Sequence, residues 1–95
     1  MNQVQLSGVL VERDAMRYTP AGLPALGFIV QHSSQVHDVH AQRKVDVTVK
    51  SMAFGAVAER LAAQPLGSSW KFSGFLANGR QLKSLVFQVQ EFVQD

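Results

Sequence analysis

The stretch from Arg43 to Gly79, RKVDVTVKSMAFGAVAERLAAQPLGSSWKFSGFLANG, carries the pattern that decides the fold. Its first part, Arg43 to Met52, alternates valines with polar side chains, and this period of two is typical of a β-strand. Ala53 to Gln64 is rich in good helix formers and is closed by Pro65. Ser69 to Ala77 then alternates again. The stretch therefore predicts one short helix between two strands.

Further strands are predicted on both sides of this unit. Asn2 to Arg17 reads as one long strand in which Gly8 interrupts the alternation, and this predicts a bulge or bend there. Ala25 to Ser33 follows a turn rich in proline and glycine and forms a second strand. Asn78-Gly79 is typical of a two-residue hairpin turn with positive φ. It leads into a last strand, from Arg80 or Gln81 to Val93.

The connection between the second and third predicted strands, Ser34 to Gln42, is polar, and we expect it to be mobile. The resulting order is β-β-β-α-β-β. A long bent first strand and a lone helix between strands three and four describe the OB-fold, a five-stranded Greek-key barrel. The sequence thus predicts an all-β chain with one short helix, folded as a single OB domain over residues 1–95.

Composition limits the class of protein. The 95 residues include no cysteine, which excludes a disulfide framework, a thiolate zinc site and a cysteine nucleophile. The first residues, MNQVQLSG, show no signal peptide, and no apolar run approaches the roughly 20 residues that span a bilayer. We therefore expect a cytoplasmic protein that does not contact membranes.

The sequence shows no catalytic pattern. His37 and His40 flank Asp38, but a histidine pair without a third ligand makes a poor metal site, and a solvated polar loop is the simpler interpretation. The acidic residues form no acid–base pair, and neither a phosphate-binding loop nor a GxSxG elbow occurs. We expect no enzyme activity, no cofactor and no metal. A metal-dependent hydrolase around the two histidines is a remote alternative.

The cations are placed more informatively than the net charge of +2 suggests. Most of them fall on elements that form or border one face of an OB barrel, and this predicts a track for phosphates. Single-strand binders add aromatic rings on which bases stack, and outward-facing candidates occur in the first turn and on the fourth strand. The candidate residues for binding single-stranded DNA are Arg17, Tyr18, Arg43, Lys44, Lys50, Lys71, Phe75, Arg80 and Lys83.

Five features of the chain together resemble the bacterial single-stranded-DNA-binding proteins, and most closely their small paralogues of the replication-restart primosome. They are LSG at Leu6–Gly8, R-x-T-P-x-G-x-P at Arg17–Pro24, F-x-V-x-H at Phe28–His32, Arg43, and GSxWxFxGFL at Gly67–Leu76. The resemblance implies an OB-fold homodimer that binds single-stranded DNA. It also implies assembly with the primosomal helicase and other primosome proteins when stalled replication restarts.

The resemblance also assigns individual positions. Arg17 falls on a basic position of the family's DNA face, and Arg43 falls on a basic residue at the start of the third strand. Asp46 stands where the best-known member has a tryptophan that stacks on DNA. The predicted last turn, Asn78 to Arg80, is shorter than that member's lysine-rich loop. From these differences we expect modest, salt-sensitive DNA binding, strengthened by dimerisation and by partners.

The sequence leaves two alternative functions open. Asp46 and the short last hairpin favour an adaptor that binds the helicase more than it binds DNA. An OB domain that binds RNA is the other alternative, and the primosomal resemblance argues against it. Dimerisation itself is expected because an OB barrel of this size exposes strand edges and outward apolar side chains that need cover.

Overall fold

The computed structural model describes residues 1–81 and 83–95. The elements within these ranges are β1 (Val4–Arg13), β2 (Arg17–Tyr18), β3 (Pro24–His37), β4 (Gln42–Phe54), α1 (Ala56–Ala62), β5 (Ser69–Asn78) and β6 (Leu85–Val93). The strands form one sheet in the order β1-β5-β6-β4-β3-β2. β1 also pairs with β3, and this pairing closes five strands into a barrel. A closed five-stranded barrel with one short helix confirms the predicted OB-fold.

β1 is shared between two parts of the sheet, as the predicted bend requires. Residues Val4–Val9 pair with β5, whereas Val9–Arg13 pair with β3. The register against β3 shifts at Val11, which is the extra residue of a bulge, so the strand bends there rather than at Gly8. The predicted bend is confirmed, and its predicted position is wrong.

Two glycines allow neighbouring backbones to approach more closely than any side chain would permit. A Cβ on Gly8 would lie 2.5 Å from Cγ1 of Val30 and 2.7 Å from the carbonyl oxygen of Gln31. A Cβ on Gly74 would overlap the carbonyl oxygen of Gln88. Gly8 therefore serves close packing inside the barrel rather than the bend.

The β3–β4 hairpin is longer than predicted. Its register is unbroken from the pair Ala25–Phe54 to the pair His37–Gln42, so residues 34–37 and 42 belong to strands and not to a mobile connection. The turn is confined to residues 38–41 and is closed by a 2.8 Å hydrogen bond from the Asp38 N–H to the Ala41 carbonyl. Polar cross-strand pairs stabilise this outer part of the hairpin, and a search for alternating apolar residues does not reveal it.

The helix is shorter than predicted because its first residues belong to β4. Ala53 is fully buried in the barrel core, and Gly55, with a φ of +69°, turns the chain into α1. At the other end, the guanidinium of Arg13 donates to the carbonyl oxygens of Leu61 and Gln64 and so caps the helix C-terminus. No helix in the described ranges is long and apolar enough to cross a membrane.

The last hairpin differs from the prediction of a tight turn. β5 ends at Asn78 and β6 begins at Leu85, so residues 79–84 connect them, and the predicted start of the last strand at Arg80 or Gln81 is wrong. Gly79 lacks the positive φ that a type I′ turn needs. Its N–H instead donates to the carbonyl of Ser84 at 2.9 Å. The Ser84 hydroxyl and N–H both donate to the carbonyl of Gln81, which favours a wider loop.

The barrel core is aromatic. Phe28, Phe72 and Phe87 are buried, and Trp70 is half-buried at the rim with its edge against Phe92, at a centroid distance of 5.0 Å. These rings lie on the inward side of their strands. They are therefore unavailable to stack on a ligand.

An exposed ion pair attaches α1 to β6 beside this core. The Arg60 guanidinium lies 2.8 Å from a carboxylate oxygen of Glu91 and 4.6 Å from the centroid of Phe92. The backbone N–H of Phe92 also donates to that carboxylate at 2.9 Å. This N–H, followed by the Arg60 side chain, lowers the pKa of Glu91.

Candidate nucleic-acid interface

A groove of about 850 Å³ runs along the outside of the barrel. Outward-facing residues of β3 and β4 form its floor, where Gly27 pairs with Met52 and Ile29 pairs with Lys50. The end of β1 with β2 forms one wall, and the β5–β6 connection forms the other. The groove is therefore built on the β3–β4 pair, whose register is unbroken.

The groove brings together four of the nine predicted residues, Arg17, Tyr18, Lys50 and Arg80. All four side chains are exposed, and Tyr18 retains 68% of its accessible surface. The ion pairs among the described residues are Lys44–Asp46 and Arg60–Glu91, so none of the three predicted cations in the groove is paired. The groove therefore combines three free cations with one exposed aromatic ring.

Arg43 and Lys44 lie farther along the hairpin. Lys44 is six residues from Lys50 on β4, a separation of about 20 Å at about 3.3 Å per residue. Lys44 shares the outward face with Lys50, whereas Arg43 belongs to the opposite face. Lys44 Nζ lies 3.7 Å from Asp46 Oδ2, and Asp46 also accepts a hydrogen bond from the Ser33 hydroxyl. The charge of Lys44 is thus offset within its own strand.

The remaining three predicted residues do not line the groove. Lys71 faces outward from β5, six residues before Ala77, which does line it, so Lys71 is about 20 Å away along the strand. Phe75 is half-buried and in register with Gln88, another residue of the groove. Lys83 is exposed in the β5–β6 connection. Phe75 and Lys83 are therefore neighbours of the groove, and Lys71 is remote from it.

The groove also contains two carboxylates, Glu12 and Asp14, which the sequence patterns did not identify as part of the site. The Asp14 N–H donates to the Gly27 carbonyl at 2.9 Å, and its side chain fills the space that a Cβ on Gly27 would take. Arg13 also lines the groove, although its guanidinium caps α1. Three free cations, the capping residue Arg13 and two carboxylates therefore line one groove. The spacing of two residues between the carboxylates could have indicated that they lie together, because it places both on one side of a strand.

The three histidines occupy two different settings. The ring of His32 is held between the Ser7 carbonyl, 2.6 Å from Nδ1, and the Ser34 hydroxyl, 2.8 Å from Nε2. His37 and His40 are exposed at the end of the β3–β4 hairpin. Within the described part of the chain, no three histidine or acidic side chains come together in a way that could hold a metal ion.

Comparisons with known proteins agree on one family. The model of a family described as another single-strand binding protein family matches residues 2–91. The chain is 43% identical over 81 residues to the replication restart protein PriB of Bordetella pertussis, an alignment covering 85% of this chain and 76% of that protein. It is 34% identical to the solved structure of PriB from Ralstonia solanacearum, with a TM-score of 0.90 and coverage of 99% and 97%. The wild-type single-stranded DNA binding protein of Thermus aquaticus is 25% identical, with a TM-score of 0.78 over 98% of this chain and 49% of that one.

Proposed function

Because the chain belongs to the single-strand binding protein family, together with the replication restart proteins PriB, we propose that it binds single-stranded DNA as an accessory protein of the replication-restart primosome. The observation that carries this proposal is the groove, which Arg17, Lys50 and Arg80 line together with Tyr18, without ion-pair partners among the described residues. The protein acts in the cytoplasm by binding and not by catalysis.

The groove residues suit two different parts of a DNA strand. Arg17, Lys50 and Arg80 neutralise phosphates and release counterions, which makes binding depend on salt and not on base sequence. The ring of Tyr18 stacks on a base, a contact that contributes about 1–3 kcal/mol in single-strand binders. Ile29 and Met52 add half-buried apolar surface on the groove floor. Binding is therefore electrostatic in its main part and tolerant of sequence.

Titration of labelled oligo-dT at several salt concentrations tests the proposal. Substitution of all three free cations, Arg17→Ala, Lys50→Ala and Arg80→Ala, removes three phosphate contacts and flattens the log–log salt slope by about 2. At 0.1 M salt each contact is worth about fivefold, so affinity falls by about 100-fold. The matched control is Lys71→Ala, which lies outside the groove and leaves affinity close to that of the wild type. A triple variant with unchanged affinity and slope would refute the site.

We propose that the protein is a homodimer. The core-facing side of three strands continues past the barrel and stays exposed at Val47, Leu76 and Leu85, whose exposed fractions are 40%, 40% and 64%. In the described chain, residues Val4–Gly8 of β1 also pair with β5 alone, so their other edge is open. Twofold association would cover both features. Light scattering should give twice the chain mass, and Val47→Lys with Leu85→Lys should give the single-chain mass. A wild-type protein of single-chain mass would contradict this proposal.

A role as adaptor for the primosomal helicase and other primosome proteins is the second candidate. The two carboxylates in the groove and the offset charge of Lys44 favour it, since both lower the attraction for DNA. A pull-down of the helicase by the wild type and by the triple variant, with and without single-stranded DNA, separates the two roles. Equal capture without DNA by both proteins supports the adaptor role. Comparison of oligo-dT with a single-stranded RNA of the same length tests the RNA-binding alternative.

A further inference from the structure

Arg17 and Tyr18, two of the four predicted residues in the groove, are carried by a strand of only two residues. This strand, β2, pairs with β3 through Arg17–Ala25 and Tyr18–Pro24. Both side chains are exposed, so packing in the core does not fix them. Their position in the groove therefore depends on how the short hairpin between β2 and β3 is closed.

This hairpin closes through the three-residue loop 20–22. The Gly22 N–H donates to the Thr19 carbonyl at 2.8 Å, and Gly22 has a φ of +85°. A turn that ends on a glycine with positive φ is typical of three-residue hairpin loops. The Thr19 carbonyl, which would accept the N–H of the facing residue Leu23 in a regular ladder, is therefore engaged by Gly22 instead.

The Thr19 hydroxyl takes the place of that carbonyl. It accepts the Leu23 N–H at 3.1 Å, while the Thr19 N–H donates to the Leu23 carbonyl at 2.9 Å. Threonine hydroxyls form such local bonds to the backbone of turns. One side-chain oxygen thus completes the pair of hydrogen bonds that closes the loop, and valine, with a similar shape, could not supply it.

The Leu23 side of this closure is attached to the barrel. The carbonyl of the next residue, Pro24, accepts the Gly55 N–H at 2.9 Å. Cδ1 of Leu23 also lies 3.6 Å from the position that a Cβ on Gly55 would take. Because Gly55 joins β4 to α1, a series of contacts leads from this junction through Leu23 and Thr19 to β2.

We propose that Thr19 is a positioning residue for DNA binding, whose hydroxyl orders β2 so that Arg17 and Tyr18 stand in the groove before DNA binds. This inference rests on the proposed function. A segment that is ordered in the free protein loses less conformational freedom on binding, and this raises affinity without a new contact. Thr19 also lines the groove, but its hydroxyl is engaged by the Leu23 N–H. It therefore acts on DNA through its two neighbours.

The experiment compares Thr19→Val, which removes the hydroxyl, with Thr19→Ser, which keeps it. Anisotropy titration of labelled oligo-dT should show binding by Thr19→Val weakened by about 2- to 12-fold, the equivalent of one hydrogen bond. The salt slope should not change, because no charge is removed. Thr19→Ser should bind as the wild type does. The matched control is Ser68→Ala, which removes a turn hydroxyl outside the groove and should leave affinity unchanged.

A double-mutant cycle separates positioning from direct contact. In the Arg17→Ala/Tyr18→Ala background, Thr19→Val should cause no further loss of affinity, since β2 no longer carries the residues that it positions. These titrations are made at about 0.05 M salt, where binding is tighter. In the free protein, Thr19→Val should speed hydrogen exchange at the Leu23 amide and leave the midpoint of urea unfolding unchanged, because the opening is local.

The contrary outcomes are separable. Wild-type affinity in Thr19→Val, or an equal loss in Thr19→Ser, overturns the inference and leaves the proposed function intact. A loss that persists in the Arg17→Ala/Tyr18→Ala background shows that Thr19 contacts DNA itself, and a lowered urea midpoint in Thr19→Val assigns the loss to global stability. Either result also overturns the inference. Failure of the wild type to bind oligo-dT removes both the inference and the proposed function.

Discussion

Replacement of Asp46 by asparagine should tighten the binding of single-stranded DNA. The Asp46 carboxylate lies 3.7 Å from Lys44 Nζ on the outward face of β4, so the variant releases this lysine. Asparagine keeps an oxygen that can accept the Ser33 hydrogen bond, and therefore only the charge changes. One additional phosphate contact steepens the salt slope by about 0.7. Affinity rises by about fourfold at 0.15 M salt and about eightfold at 0.05 M salt.

Fluorescence anisotropy with labelled oligo-dT at these two salt concentrations measures both quantities. Glu59→Gln is the matched control, because it makes the same change in net charge on an exposed position of α1, outside the groove. An Asp46→Asn protein with wild-type affinity and slope would show that DNA does not follow β4. An equal gain in Glu59→Gln would assign the effect to overall charge and not to Lys44.

Three further substitutions probe stacking, packing and charge. Tyr18→Ala should weaken oligo-dT binding by about 5- to 150-fold with an unchanged salt slope, whereas Tyr18→Phe should retain affinity because it keeps the ring. Anisotropy titration compares the two variants, and equal losses of affinity would refute stacking. Gly74→Ala should lower the free energy of unfolding by more than about 3 kcal/mol, since its Cβ would overlap the Gln88 carbonyl, and a wild-type midpoint in urea unfolding would contradict this. Folding lowers the pKa of Glu91, so this carboxylate stabilises the fold above its unfolded pKa of about 4.3 and stops doing so as the pH falls through the folded value. Urea unfolding at about pH 7 and pH 3 measures how much stability each protein loses on acidification. The wild type should lose more than Glu91→Gln, and the difference should be less than about 1 kcal/mol because the pair with Arg60 is exposed.

The fold could be predicted from the sequence because the barrel buries one side of each strand. The valines at positions 45, 47 and 49 alternate with polar side chains and so identify a strand, although Val47 itself stays 40% exposed beyond the barrel. The lone helix after this strand selects the OB topology. The strand structure of residues 34–37 could not be predicted from the sequence, because both faces of the hairpin end are exposed to water. Its pairing therefore produces no apolar periodicity. The Asn78-Gly79 signal failed for a local reason, since hydrogen bonds from Ser84 favour a six-residue connection.

Sequence identified the charges of the candidate site but not the distances between them. Lys44 and Lys50 share one face of β4, yet the length of the hairpin separates them by about 20 Å. The pairing of Lys44 with Asp46 follows from alternation on one strand and could have been predicted. The capping of α1 by Arg13 could not, because it joins residues 48 and 51 positions apart.

The double pairing of β1 has a consequence for the synthesis of the chain. Val4 pairs with Gly74, 70 residues later in the sequence. A ribosome adds about 5–20 residues per second, so the first half of β1 waits about 4–14 seconds for its partner strand to be made. The β3–β4 hairpin, with local contacts, can form within this interval, whereas closure of the barrel cannot. Gln5 and Ser7 alternate along the waiting strand, and their polar side chains keep one of its faces hydrophilic until β5 arrives.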